Sequence, residues 1–209
     1  MKIVIPARYA SPRLPGKPLA DIAGRPMITH VWDRATEALA PEHVFVAADD
    51  SRILDAMRAH GGQAVATRTD HASGTDRIAE VASQLGWADD EIVINVQGDE
   101  PLLPPLLISV VGDCLAADAA AAMATASTRI HDGADVLNPN IVKVVTDACG
   151  FAHYFSRSAI PHHRDGAGTP DVAAHPYQRH IGIYAYRVAT LKKLTELPPA
   201  PTEELEALE

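Results

Sequence analysis

Apolar positions in this chain follow two rhythms. Through the first 120 residues, short apolar runs alternate with stretches of helical periodicity. Lys2-Ile3-Val4-Ile5 reads as a buried strand, and Met27 to Leu39 carries Ile28, Val31, Ala35 and Leu39 at helical spacing. Val44-Phe45-Val46 predicts a second strand, and Ser51 opens a short helix with Ile53, Ala56 and Met57 on one face, ended by Gly61-Gly62. Ala64-Val65-Ala66 predicts a third strand. Thr75 is the expected N-cap of a helix whose apolar face is Ile78, Val81, Ala82 and Leu85. Ile92 to Val96 reads as a fourth strand, followed by a helix after Pro104-Pro105 that uses Leu106, Leu107, Val110, Val111, Cys114 and Leu115. This βαβα order implies an α/β fold with a mainly parallel sheet, helices on both faces and right-handed crossovers.

Beyond residue 120 the rhythm changes. Ala122–Ser127, Ile141–Thr146, Phe151–Ser156 and Ile181–Tyr186 predict strands without intervening helices, hence a small mixed or antiparallel extension. His162 to Tyr177, with Gly166, Gly168, Pro170 and Pro176, reads as a mobile loop. The expected organisation is one domain over 1–209, with a nucleotide-binding half (1–120) and a second half (121–209).

Composition narrows the field. The 209-residue chain is 47% hydrophobic and 22% charged, as in an ordinary globular protein. Its net charge of −9 argues against a nucleic-acid partner, which would need a basic face. Cys114 and Cys149 read as buried thiols of a cytoplasmic protein rather than a disulfide. With only the short apolar run Ile3-Val4-Ile5 ahead of Pro6, and no longer run elsewhere that could span a bilayer, neither a signal peptide nor a membrane span is expected.

Positive charge is instead concentrated after the first strand. Pro6 to Leu19 holds Arg8, Arg13 and Lys17 between Pro12, Pro15 and Pro18. Guanidinium forks and an ammonium at the carboxyl end of an α/β sheet suit a polyphosphate, and proline stiffening lowers the entropy lost on ordering. The segment is neither a Walker loop, since Pro18 follows Gly16-Lys17, nor a dinucleotide fingerprint. Asp99 stands after the fourth strand in Val96-Gln97-Gly98-Asp99-Glu100-Pro101, where a carboxylate could hold Mg²⁺. Gln97 occupies the place where glycosyltransferases carry the first Asp of Asp-x-Asp. His71 lacks metal-ligand spacing and reads as structural; His162-His163 is rejected as a metal pair because adjacent residues on an extended chain point apart.

Pro6-Ala7-Arg8-Tyr9-Ala10-Ser11-Pro12-Arg13-Leu14-Pro15-Gly16-Lys17-Pro18-Leu19 resembles the signature loop of the sugar-activating nucleotidyltransferases, and more narrowly of the 3-deoxy-manno-octulosonate (Kdo) cytidylyltransferases. Further blocks agree, from Arg68–Arg77 and the Val-Gln-Gly-Asp-Glu-Pro segment to Phe155-Ser156-Arg157 with Ile160-Pro161, and Arg179-His180-Ile181-Gly182-Ile183-Tyr184. The resemblance implies a Rossmann-like fold and transfer of CMP from CTP to Kdo for lipopolysaccharide synthesis, in a cytoplasmic homodimer that pairs through the second half. It assigns Ala7, Arg8, Arg13, Lys17, Ser73, Gly74, Arg77 and Gln97 to the nucleotide, and Asp99 to Mg²⁺. Gln97, Arg157, Arg164, His180, Tyr184, Glu206 and Glu209 go to the sugar, the last two on an acidic helix over Thr202–Glu209. Arg8, Arg13, Lys17 and Asp99 carry the catalytic roles. The family pattern continues into a segment bearing a second metal carboxylate. The sequence stops at Glu209, so the expectation is a truncated chain with a weakened metal site. A cytidylyltransferase for another acidic sugar, or a non-catalytic CTP-binding relative, is the alternative.

Overall fold

In the computed structural model, residues 1–10, 14–166 and 170–208 are described. In chain order the strands are β1 (Lys2–Ala7), β2 (Asp21–Ile22), β3 (Arg25–Pro26), β4 (Val44–Ala48), β5 (Gln63–Ala66), β6 (Ile92–Asn95), β7 (Met123–Arg129), β8 (Lys143–Thr146), β9 (Ala152–Ser156) and β10 (Gln178–Arg187). The helices are α1 (Met27–Ala38), α2 (Ser51–His60), α3 (Gly74–Gln84), α4 (Pro105–Ala117), α5 (Gly133–Leu137), α6 (Val188–Leu194) and α7 (Pro201–Glu206). They divide into two compact units, Met1–Ala124 with Ile183–Pro198, and Thr125–Gly182 with Pro199–Glu209.

The first unit is built on a sheet of order β5-β4-β1-β6-β10. β1 pairs in parallel with both β4 and β6, and β4 in parallel with β5, while β10 runs antiparallel to β6. The sheet is therefore mixed and mostly parallel. β4 is buried at every position, and Ile3, Val4 and Ile5 of β1 have no exposure. Such continuous apolar runs are what parallel strands need when covered on both faces. Each fully buried aliphatic side chain contributes about 1.5–3 kcal/mol.

Helix ends follow local chemistry. Asp50 caps α2 by accepting from the Arg52 backbone N–H, and Gly61, at φ 82°, ends it. The cap of α3 is Ser73 rather than Thr75: its side chain accepts from the Asp76 N–H while Asp76 reaches back to the Ser73 N–H. Ser73 wins because the residue three positions on can reciprocate, completing a capping box. α3 and α6 pack Ile78, Val81 and Leu191 against Val4, Ala47 and Val93.

α4 departs from its expected face. Ile108, Val111, Gly112 and Leu115 are buried, whereas Leu106 and Val110 are largely exposed, as is Cys114. Apolar residues occupy so much of this helix that periodicity could not choose the inward stripe, which is marked by the close approach of Gly112 to Ile94 and Met1. Cys149 is also exposed, so both thiols are free and at the surface rather than buried.

In the second unit β8 pairs antiparallel with β9, and Gln178 and Arg179 of β10 pair with Val144 and Lys143. The expectation of strands without helices fails at α5, a short turn capped by Asp132 through the Ala134 N–H. Val136 from α5 joins Ile130, Ile141 and Tyr177 in a small core. No helix among the described residues is long and apolar enough to cross a membrane.

Candidate active site

The carboxyl ends of β1, β4 and β6 lie side by side in the first unit, and the candidate residues stand there. Gly98 makes the approach possible, since a Cβ at that position would sit 2.6 Å from the Pro6 carbonyl oxygen. Ala7 is buried at the end of β1 and Arg8 is exposed immediately after it. Lys17 reaches across to Asp99, with Nζ 2.5 Å from Oδ2 and both side chains partly open to solvent. The cation expected to hold phosphate and the carboxylate expected to hold metal thus neutralise each other. Gln97 precedes this tip and is half-buried.

The loop bearing Arg8 and Lys17 is tied down by groups the sequence did not single out. The Tyr9 backbone N–H donates to Asp49 Oδ1 at 2.9 Å. The Arg52 guanidinium lies over the Tyr9 ring, 3.5 Å from its centroid, and binds Asp50 through Nε and Nη2. That two-pronged bond pulls the Asp50 carboxyl down to about 2. Gly16 adopts φ +73° and its N–H donates to the Tyr9 carbonyl at 2.8 Å. Arg13 lies outside the described residues.

At the start of α3, Ser73 and Gly74 form the cap region, and Arg77 follows on the buried face. Arg77 is only 2% exposed. Its Nη1 donates to Thr67 Oγ1 and to the Arg68 carbonyl, and its Nη2 pairs with Asp49 Oδ2 at 3.3 Å. Burial pushes its pKa down, Asp49 pulls it back, and the charge of Arg8 pushes it down again. His71 pairs with Glu80, in keeping with its structural reading.

The sugar-side candidates of the second unit are arranged differently. All three donor positions of the Arg157 guanidinium meet backbone carbonyls: Nε that of Glu206, Nη1 that of Pro139 at 2.9 Å and Nη2 that of Ala207 at 2.9 Å. Glu206 accepts from Tyr154 Oη, Ser156 Oγ and the Arg157 N–H. The Arg157 N–H, then Ser156, hold the Glu206 carboxyl below the usual glutamate range. Arg164 is exposed and pairs with Asp165 at 3.0 Å. His180 Nε2 lies 2.9 Å from Thr125 Oγ1, with Phe155 edge-on at 4.9 Å, and burial pushes its imidazole toward the neutral form. Tyr184, on the first-unit part of β10, stacks with Tyr186 and packs against the α3–α6 core. Glu209 lies outside the described residues.

Lys143 was not foreseen. It is fully buried, and Nζ donates to the carbonyls of Asn138 at 3.0 Å, Ile141 at 2.6 Å and Arg157. Desolvation, then the Arg157 charge, push its pKa down. A lysine inside the apolar run Ile141–Val145 was its one sequence signal, as a carboxylate at the tip of β4 was for Asp49.

Comparison with known proteins fits this arrangement. Residues 2–209 match the family model described as cytidylyltransferase. The 3-deoxy-manno-octulosonate cytidylyltransferase of Idiomarina loihiensis is 53% identical over 99% of this chain and 83% of its own length. That of Acidovorax sp. (strain JS42) is 55% identical over 99% of this chain and 82% of its own. This chain belongs to the Kdo cytidylyltransferase family. A solved member of that family, a CMP:2-keto-3-deoxy-manno-octonic acid synthetase complexed with CTP, superposes with a TM-score of 0.90 at 44% identity, covering 99% of this chain and 82% of that one. A cytidylyltransferase from Leptospira borgpetersenii, at 16% identity and a TM-score of 0.58, shares the fold.

Proposed function

We propose that this chain transfers CMP from CTP to Kdo, releasing diphosphate. The observation that carries the proposal is the set of Arg8, Lys17 and Asp99 at the carboxyl ends of β1 and β6, in a chain 53% identical to a Kdo cytidylyltransferase. The anomeric hydroxyl of Kdo attacks the α-phosphorus in line. The new O–P bond forms as the bond to the β-phosphate oxygen breaks, and the hydroxyl proton passes to solvent. The protein's share is orientation and charge neutralisation.

Arg8, Arg13 and Lys17 hold the triphosphate, and Ser73 and Gly74 meet the nucleotide at the start of α3. The candidates for the sugar are Gln97 and Tyr184 in the first unit, and Arg157, Arg164, His180, Glu206 and Glu209 in the second. Lys17 leaves Asp99 as the phosphates enter, so the ligand exchanges one ion pair for others. Asp99 suits Mg²⁺: it is a hard oxygen donor, half exposed at a strand tip, and Mg²⁺ is commonly held by one or two carboxylates plus substrate phosphates. When bound, Mg²⁺ supplies charge neutralisation on the phosphates. In this reading the enzyme works in the cytoplasm as a homodimer, without nucleic acid, and its product feeds lipopolysaccharide synthesis.

The test is diphosphate release from CTP, Kdo and Mg²⁺, with sialic acid in a parallel reaction. Release with Kdo alone supports the assignment. Release with sialic acid alone redirects it to another acidic sugar, and silence with both defeats it.

A further inference from the structure

Between β4 and α2 stands a carboxylate to which neither the resemblance nor the mechanism above gives a role. Asp49 follows β4 directly and its side chain is 5% exposed. Its two oxygens face two different segments: Oδ1 accepts from the Tyr9 N–H at 2.9 Å, and Oδ2 pairs with Arg77 at 3.3 Å. We infer that Asp49 is a positioning residue for the nucleotide, acting through the loop that carries Arg8 and Lys17; the inference rests on the CTP site proposed above.

The argument is one of reach. Arg8 is exposed and Lys17 half-buried, and a long cationic side chain grips phosphate only as well as its backbone is fixed. The Tyr9 N–H is the amide next to Arg8, and Asp49 fixes it. From Tyr9 the constraint continues to Gly16, whose N–H donates to the Tyr9 carbonyl, and Gly16 precedes Lys17. Arg77 is itself clamped by Thr67 and the Arg68 carbonyl, so Asp49 transmits the rigidity of α3 and of the segment after β5 to the loop. A buried ion pair is by itself weak grounds for stability, because desolvating both charges costs about what their attraction returns. What this one adds is a fixed acceptor for a loop amide, at the root of the phosphate-binding cations.

Asp49→Ala removes both the acceptor for the Tyr9 N–H and the charge opposite Arg77. Titrating the full chain with CTP alone, the variant should bind about tenfold more weakly, the weight of one charge-assisted hydrogen bond. In steady state, KM for CTP should rise by a like factor while kcat and KM for Kdo stay within about twofold, a split that general loss of folding would not give. CTP binding equal to the parent would overturn the inference, and so would equal losses in every parameter. If Asp49→Ala does not fold, Tyr9→Leu tests the loop that Asp49 anchors, since it severs the ring contact with Arg52 and Gly16 outside the core. A selective rise in KM for CTP supports the loop's role, and unchanged CTP affinity rejects it. Hydrogen exchange at the Tyr9 amide, faster in Asp49→Ala with α3 core amides unchanged, reads the anchor without ligand. If the parent binds no CTP, the proposed function falls while the exchange result still decides the anchor.

Discussion

Lys17 in the first unit and Lys143 with Arg157 in the second hold their positive charges in opposite ways. In the first, Lys17 faces the half-exposed carboxylate of Asp99 at the open end of a mostly parallel sheet. In the second, Lys143 and Arg157 face backbone carbonyls, six between them, and hold turns in place. A cation paired with an exposed carboxylate can be exchanged, because water and ligand phosphates compete for it on equal terms. A cation inside a set of carbonyls cannot leave without stranding several acceptors. The first arrangement suits a site that must open to a polyanion. The second suits a scaffold with a core of only a few apolar side chains.

The strongest test of the contrast is Asp99→Asn. Removing that carboxylate should lower diphosphate release by about a thousandfold, the scale of losing a key electrostatic contact. Because Lys17 is then released, CTP binding without divalent metal should tighten. Weaker metal-free binding in a titration would show that the Lys17–Asp99 pair does not restrain the free site.

Next in size is Lys143→Met, which leaves three carbonyls without their donor. It should destabilise the second unit by about 3 kcal/mol. Urea unfolding would read the loss, with hydrogen exchange on β8 showing where it falls. Little change in either would mean that those carbonyls are satisfied by solvent.

Gly16→Ala should have a smaller effect. It places a Cβ in a left-handed conformation and 3.2 Å from Tyr9 Oη, for a cost of about 1–2 kcal/mol. A shift in thermal midpoint together with a raised KM for CTP is expected, and a shift without the KM change would separate loop geometry from nucleotide binding.

The mildest perturbation is pH. The Glu206 pKa is depressed in the folded chain, so its contribution is present above the ordinary glutamate value of about 4.3 and is lost as pH falls through the folded value. The Arg157 amide resonance should titrate below that ordinary value in the parent and stay flat in Glu206→Gln. A midpoint at or above it would contradict the bond.

Much of this fold was legible beforehand. Apolar runs at Lys2–Ile5, Val44–Val46 and Ile92–Val96 could satisfy burial on both faces only as parallel strands, and helical spacing marked α1 and α2 within a residue or two. The cationic loop and Asp99 were legible for the same reason: charge beside a strand end has few other uses. The cap of α3 was misplaced by two residues because Ser73 and Thr75 both offer a side-chain oxygen that can accept from a backbone N–H, and the reciprocal bond from Asp76 distinguishes them. The face of α4 and the exposure of both cysteines escaped because an apolar helix has no preferred side until neighbours choose one.

By itself, then, the sequence determined the alternation of the main strands and helices over the first 120 residues, the family, and which charges crowd the sheet's carboxyl edge, since these follow from local periodicity and contiguous motifs. Tertiary structure decided which charges neutralise which. Lys17 with Asp99, Tyr9 with Asp49, and Lys143 with the carbonyl of Arg157 are separated by 82, 40 and 14 positions. Pairings at such separations depend on which strand ends and turns the fold sets side by side, and no local pattern records that.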